Sequence, residues 1–320
     1  MSDKLPEQGA QAAEKAVDQA KKAAETVKKE LAAGTRRSEN GIVKGVKEVD
    51  RFLLRLNKLI ATPGGLAAFL STSNYILYIL AYLQPRTPSL SSLYYRLLAH
   101  LKLATPPPKV LVVNLAANPS VPPLAAFALL LSKCRTTLRL LGTLPLYAWL
   151  RSLSSGPKPG SDVVLHRIAL AQASSYFTYQ ILENICVLAD HGIVPPSFIS
   201  FINRPTREPS TVRLYTFAYR FWLAGISCDF LRLAREAQIV SAKRANRSEE
   251  EKSEVIVKEE DKRVDRRWWM DAMIAGAWFP MALHFSGVTG GVPGWHVGWM
   301  GVCGLVAGGE RMRGLWKATA

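Results

Sequence analysis

Cysteine is scarce in this chain: Cys134, Cys186, Cys228 and Cys303 are scattered, and none forms a Cys-x-x-Cys pair. That spacing excludes the common zinc and dithiol motifs and gives no disulfide framework, so a reducing compartment is expected. Catalytic signatures are missing as well, since no Gly-x-Ser-x-Gly, His-Glu-x-x-His or Gly-x-x-x-x-Gly-Lys run occurs. The nearest approach to reactive chemistry is Asp190-His191, with Cys186 one helical turn away. A histidine beside the helix-ending Gly192 suits the negative end of a helix dipole without any catalysis. No catalytic residue, metal ligand or cofactor is therefore assigned, and the chain is not expected to be an enzyme. The first thirty residues hold Asp3, Glu7, Glu14, Asp18, Glu25 and Glu30 and no apolar run, which is unlike a signal peptide or a mitochondrial presequence. The terminal Lys317-Ala318-Thr319-Ala320 is not a peroxisomal matrix signal, so any organelle address is expected to be internal.

Acids are scarce where bases are not. Residues 59–240 carry 16 Lys and Arg against 6 Asp and Glu, while 1–58 carry 13 and 9 and 241–267 carry 9 and 8. The same basic interval is the richest in Leu, Tyr and Phe. Basic and apolar character together point to an anionic phospholipid surface as partner. A pI near 9.8 would also suit nucleic acid. No helix-turn-helix, zinc-finger or ribonucleoprotein signature supports that reading, so nucleic acid is not expected.

Long clean apolar runs are few. Residues 66–83 are uncharged but interrupted by Ser71-Thr72-Ser73-Asn74, so they fit either a membrane span or a buried helix. Pro119, Pro122 and Pro123 split the apolar run 110–131. Residues 268–288 and 292–309 hold one charge, Asp271, and flank a Thr289-Gly290-Gly291 turn. At a helical rise of about 1.5 Å per residue they reach roughly 31 and 27 Å, which predicts a transmembrane hairpin over 268–309. Trp268 and Trp269, next to Arg263, Arg266 and Arg267, are expected to form an interfacial anchor, with Arg311, Arg313 and Lys317 at the far end. Gly294/Gly298 and Gly304/Gly308 have the spacing that lets membrane helices approach closely.

What the chain does have is helical periodicity. Residues 1–40 read as a flexible Ala/Lys/Glu-rich arm, 41–242 as an amphipathic, membrane-associated helical domain, 243–267 as a charged linker or exposed helix, and 310–320 as a basic cytosolic tail. Over 44–60, Val46, Val49, Leu53, Leu56 and Ile60 recur at 3- and 4-residue spacing, opposite Lys44, Lys47, Arg51, Arg55 and Lys58. A second helix over 123–141 sets Phe127, Leu130, Leu131, Cys134, Leu138 and Leu141 against Lys133, Arg135 and Arg139. Further helices are predicted over 90–103, 163–191 and 212–243. The fold class is all-α, a membrane-associated helical bundle with basic amphipathic helices and a C-terminal transmembrane helical hairpin. A Lys/Arg face is ordinarily the solvated side of a bundle helix, where acids accompany the bases. Here the design is repeated and acids are nearly absent, which favours lipid headgroups. Lys47, Arg51, Arg55, Lys58, Lys133, Arg135 and Arg139 are the expected headgroup ligands. Val49, Leu53, Leu56, Ile60, Leu131 and Leu138 are the expected membrane-inserting residues.

Several segments, in order, resemble the peroxin-11 family of peroxisomal membrane proteins, in particular its divergent fungal branch. Residues 46–55, Val-Lys-Glu-Val-Asp-Arg-Phe-Leu-Leu-Arg, resemble the family's N-terminal Asp-Lys-x-x-x-Arg helix, with Arg51 in place of Lys and Asn57-Lys58 where Gln-Tyr is usual. Residues 132–142 are similar to its Arg-x-x-x-Arg-Leu-x-Gly stretch, Tyr179 to Asn184 and Ala189 to Gly192 to its central helix, and Trp222 with Ser227 to Leu231 to a later one. The resemblance covers roughly residues 44–309 and omits the arm and the charged insert.

The resemblance implies elongation of the peroxisomal membrane before fission, with both termini in the cytosol. It also implies homo-oligomerisation and recruitment of a dynamin-like fission GTPase and its tail-anchored adaptor. An endoplasmic-reticulum location stays open, as does a pore or transporter for small metabolites in which the charges would line a solute path.

Overall fold

A computed structural model describes residues 25, 44–84, 122–204, 206–207, 209–248, 250–251, 254–288 and 290–320. The expected arm, apart from Glu25, and the expected helix over 90–103 lie outside the described residues. All regular structure among the described residues is helical, as the periodicity predicted.

Two units make up the chain, residues 1–61 with 319–320, and residues 62–318. In the first, α1 runs over residues 44–60. At 100° per residue its row Val46, Val49, Leu53, Leu56, Ile60 lies opposite its row Lys44, Lys47, Arg51, Arg55, Lys58.

The second unit contains α2 (Pro63–Leu83), α3 (Pro123–Arg139), a 3-10 turn (Leu140–Gly142), α4 (Thr143–Ser154), α5 (Val163–Asp190), α6 (Pro196–Ile202), α7 (Val212–Ala245), α8 (Val255–Ser286) and α9 (Val297–Lys317). Their ends carry ordinary helix signals. Thr62 caps α2, accepting from the Gly65 amide at 3.1 Å, and Pro63 supplies a first-turn residue that needs no amide partner. Asp162 caps α5 through the Leu165 amide at 2.8 Å. Gly287, at φ 63°, closes α8 in a conformation that glycine adopts without strain.

Neighbouring helices pack in the order α3, α2, α9, α8, α7, α5, α4. α5 and α7 run antiparallel, tied by Asp162 to Arg235 at one end and by Asp190 to Tyr215 at the other. α7 and α8 do the same, through Arg232 to Asp271 and through Arg220 to the Ser286 carbonyl. α2 and α9 come closest. A Cβ added at Gly298 would sit 2.8 Å from the Tyr82 ring, and one at Gly301 would sit 2.7 Å from the Tyr75 carbonyl oxygen. One added at Gly304 would strike the Tyr75 ring itself. Of the expected small-residue pairs, Gly298 and Gly304 serve this contact together with Gly301, whereas Gly308 faces open space and Gly294 belongs to a turn.

The C-terminal segment differs from the sequence reading in two ways. Of the two readings of 243–267, linker or exposed helix, residues 255–267 are helical, but they run on without a break into the apolar stretch that follows, and α9 likewise runs through 309 to Lys317. Charge at one end does not interrupt a helix when ion pairs to a neighbour, here Arg244 and Arg247 to Asp261, use it. Among the described helices, the one long and apolar enough to cross a membrane is α2 and neither arm of the expected hairpin. Trp, Gly, His284 and Asp271 dilute α8 and α9, whereas α2 carries no charge over 21 residues, roughly 31 Å. Only 22% of its apolar window is buried inside the chain, although the core helix of a water-soluble protein would be mostly covered.

Candidate membrane interface and polar core

α3 directs both of its guanidinium groups to partners on neighbouring helices. Arg135 reaches α2, placing its guanidinium 4.8 Å from the centre of the Tyr75 ring and donating to Tyr75 Oη at 3.3 Å. With the Asn74 amide oriented to satisfy its neighbours, Arg135 Nη1 also donates to the Asn74 oxygen at 2.9 Å, and the Asn74 nitrogen donates to the Ala128 carbonyl at 2.7 Å. One turn later Arg139 Nη2 donates to Glu183 Oε1 of α5 at 2.8 Å. Glu183 also accepts from Tyr179 Oη at 2.8 Å. Gln180 donates to the Arg139 carbonyl and Asn184 to the Leu140 carbonyl, so α5 holds the backbone where α3 ends. Asn74, Gln180 and Glu183 are fully buried. A buried polar network is stable only when its members are satisfied, and these satisfy one another.

The outward side of α3 is apolar. Phe127, Leu130, Leu138 and Leu141 are 43–70% exposed, and Cys134 lies exposed among them. In water, each half-exposed Leu or Phe side chain forgoes about 1 kcal/mol of burial. A helix of a water-soluble bundle would be rotated the other way. Of the expected headgroup ligands of α3, Lys133 is exposed and forms no ion pair among the described residues, and Arg139, although paired, keeps 44% exposure. Arg135 and Arg139 were expected to face headgroups; instead their guanidinium groups point to α2 and α5. Leu131 is half-buried on the flank of the apolar face, and Leu138 is exposed as expected.

α1 keeps its expected arrangement. Lys47, Arg51 and Lys58 are exposed, Arg55 is half-buried and donates to Thr319 at 3.3 Å, and Val49, Leu53 and Ile60 are exposed with Leu56 half-buried. Of the expected aromatic anchor, Trp269 is 68% exposed, whereas Trp268 turns inward and donates from Nε1 to the Leu233 carbonyl at 2.9 Å.

A family model for peroxisomal biogenesis factor 11 (PEX11) matches residues 110–312, more than half of the chain. The chain belongs to the PEX11 family. No curated protein and no solved structure matches it. As a PEX11 protein it is a peroxisomal membrane protein of peroxisome proliferation. The matched interval takes in the helices α3 to α8 and most of α9, with the Arg139–Glu183 part of the polar core, and leaves out α1 and α2, and with α2 the core residues Asn74 and Tyr75.

The aromatic girdle that joins the PEX11 region to α2 was not foreseen from sequence. Tyr179 meets Trp222, Trp222 meets Trp278 and Trp278 meets Tyr75, at centroid separations of 5.9–6.1 Å, so four helices share one aromatic layer. Glu183 did carry a signal, as one of the few acids in a basic, apolar interval. Its partner could not be read, because Arg139 lies 44 residues away. The Asp190-His191 pair is not brought together: Asp190 accepts from Thr211 and Tyr215, and the His191 ring lies 2.7 Å from the Val187 carbonyl. Cys186 is buried beside Leu214 and Ile199.

Proposed function

We propose that this PEX11 protein elongates and curves the peroxisomal membrane ahead of fission, with α1 as the wedge. The observation that carries the reading is α1 itself: a helix with an exposed apolar row directly opposite a row of five bases. Laid at headgroup level, such a helix widens one leaflet relative to the other, so many copies favour positive curvature. Lys47, Arg51, Arg55 and Lys58 supply attraction to anionic lipid, about 1 kcal/mol per residue near the surface. Val49, Leu53, Leu56 and Ile60 enter between the acyl chains. α2, with Trp269 and the arginines beside it, supports an anchor distinct from the wedge.

The test is tubulation of phosphatidylcholine vesicles containing phosphatidylinositol by the purified full chain. Replacing Lys47, Arg51, Arg55 and Lys58 by Glu is expected to abolish tubulation. Undiminished tubulation in that variant would overturn the wedge.

A further inference from the structure

We infer that α3 and the turn after it are set into the hydrocarbon of the bilayer, with acyl chains covering Phe127, Leu130, Cys134, Leu138 and Leu141, and Arg135 and Arg139 acting as internal ties. The two basic amphipathic helices would then have opposite tasks. The inference rests on the chain being a PEX11 membrane protein and not on the wedge action of α1.

Three observations converge on lipid as the occupant of this face. The first is orientation: α3 turns both arginines to buried polar partners and presents leucine and phenylalanine outward, which suits a helix whose surroundings are less polar than its neighbours. Lys133 lies on the outward arc between the exposed Leu129 and Leu130, Arg139 keeps 44% exposure on the opposite flank, and both side chains are long enough to carry their charge along an apolar surface. The second is continuity. α3 packs on α2, the described helix able to span a bilayer, and α2 has its own outward apolar row in Ile76, Leu80 and Leu83. The third is height. Trp278 lies ten residues, about 15 Å, along α8 from Trp268, and its ring meets Tyr75, over which Arg135 sits. Arg135 is thus held at mid-height of the apolar stretches, far from either end, where an internal partner is what an arginine requires.

A face in water, a face buried on a second copy and a face in lipid give different results for a probe on Cys134. Cys134 is the exposed cysteine of the four, and the Cys134→Ser chain reports any label carried by Cys186, Cys228 or Cys303. The full chain, labelled with a nitroxide and reconstituted into phosphatidylcholine vesicles containing phosphatidylinositol, is compared by spin relaxation with dissolved oxygen and with a water-soluble nickel chelate. Oxygen collects in hydrocarbon and the chelate stays in water. The expected result is relaxation by oxygen several-fold greater than by the chelate, and the same at Leu138→Cys in the Cys134→Ser background. Dominant relaxation by the chelate would place the face in water. Weak relaxation by both, with dipolar broadening between labels, would place it against a second copy. Either overturns the inference. Vesicles that show the oxygen pattern but form no tubules would instead count against the wedge alone.

Discussion

Arg139 Nη2 lies 2.8 Å from Glu183 Oε1, and that carboxylate belongs to a side chain only 3% exposed. The pair joins two helices through a contact that no local pattern announces. Removing one member leaves the other short of a partner in a medium that solvates it poorly.

Glu183→Gln is therefore expected to destabilise the bundle by about 2 kcal/mol, below the ~3–5 kcal/mol of a fully buried pair because the Arg139 side chain keeps 44% exposure. Denaturation in detergent micelles measures it. In a double-mutant cycle with Arg139→Gln the double variant should lose clearly less than the sum of the two single losses, and full additivity would show that the contact carries no coupling.

The α2–α9 seam makes a second prediction. Gly301→Ala puts a methyl 2.6 Å from Ile79 Cγ1 and 2.7 Å from a backbone oxygen, so the helices must part, at a cost of about 1–3 kcal/mol. Gly308→Ala meets nothing within 4 Å and should be neutral or slightly stabilising, because it raises helix propensity. Equal melting temperatures for the two variants would contradict the seam.

Arginines of α1 and α3 should separate by phenotype. Arg51→Glu is expected to weaken binding to anionic vesicles and to flatten its salt dependence, with the melting temperature nearly unchanged. Arg135→Gln should lower the melting temperature and leave vesicle binding within about two-fold, since its guanidinium is committed to Tyr75 and Asn74. Cosedimentation with vesicles and thermal melts of both variants decide this.

Acid should loosen the charged end of α7 and α8. Arg247 hydrogen-bonds Asp261 and, with Arg244, holds its carboxyl below the ordinary aspartate value; Arg235 and the Leu165 amide do the same for Asp162. Because these pKa values are lowered, the pairs contribute fully above the ordinary value near 3.8, and the contribution is lost as pH falls through the lowered ones. Amide exchange over 244–261, corrected for intrinsic rates, should accelerate between roughly pH 5 and pH 2. In Asp261→Asn that acceleration should shrink while the Asp162–Arg235 end keeps its own.

Much of the architecture was legible in the sequence. Apolar spacing of 3 and 4 gave α1 and α3 their extents, Gly192 marked a helix end, and the polar interruption at residues 71–74 still fell inside a single helix. By sequence alone Asn74 interrupts an apolar run. It is in fact the residue through which α2 receives α3. Trp268 and Trp269 looked alike as neighbours, yet helical geometry sends one ring to the Leu233 carbonyl and leaves the other outside.

The sequence by itself determined that α3 has an apolar side and a basic side, because side-chain identity and a 3.6-residue period are enough to define two faces. Only the tertiary structure decided which face turns inward. That choice depends on partners 60 and 44 residues away, Tyr75 and Glu183, whose buried polar groups bind Arg135 and Arg139. Once those bonds form, the leucines have no side left but the outer one.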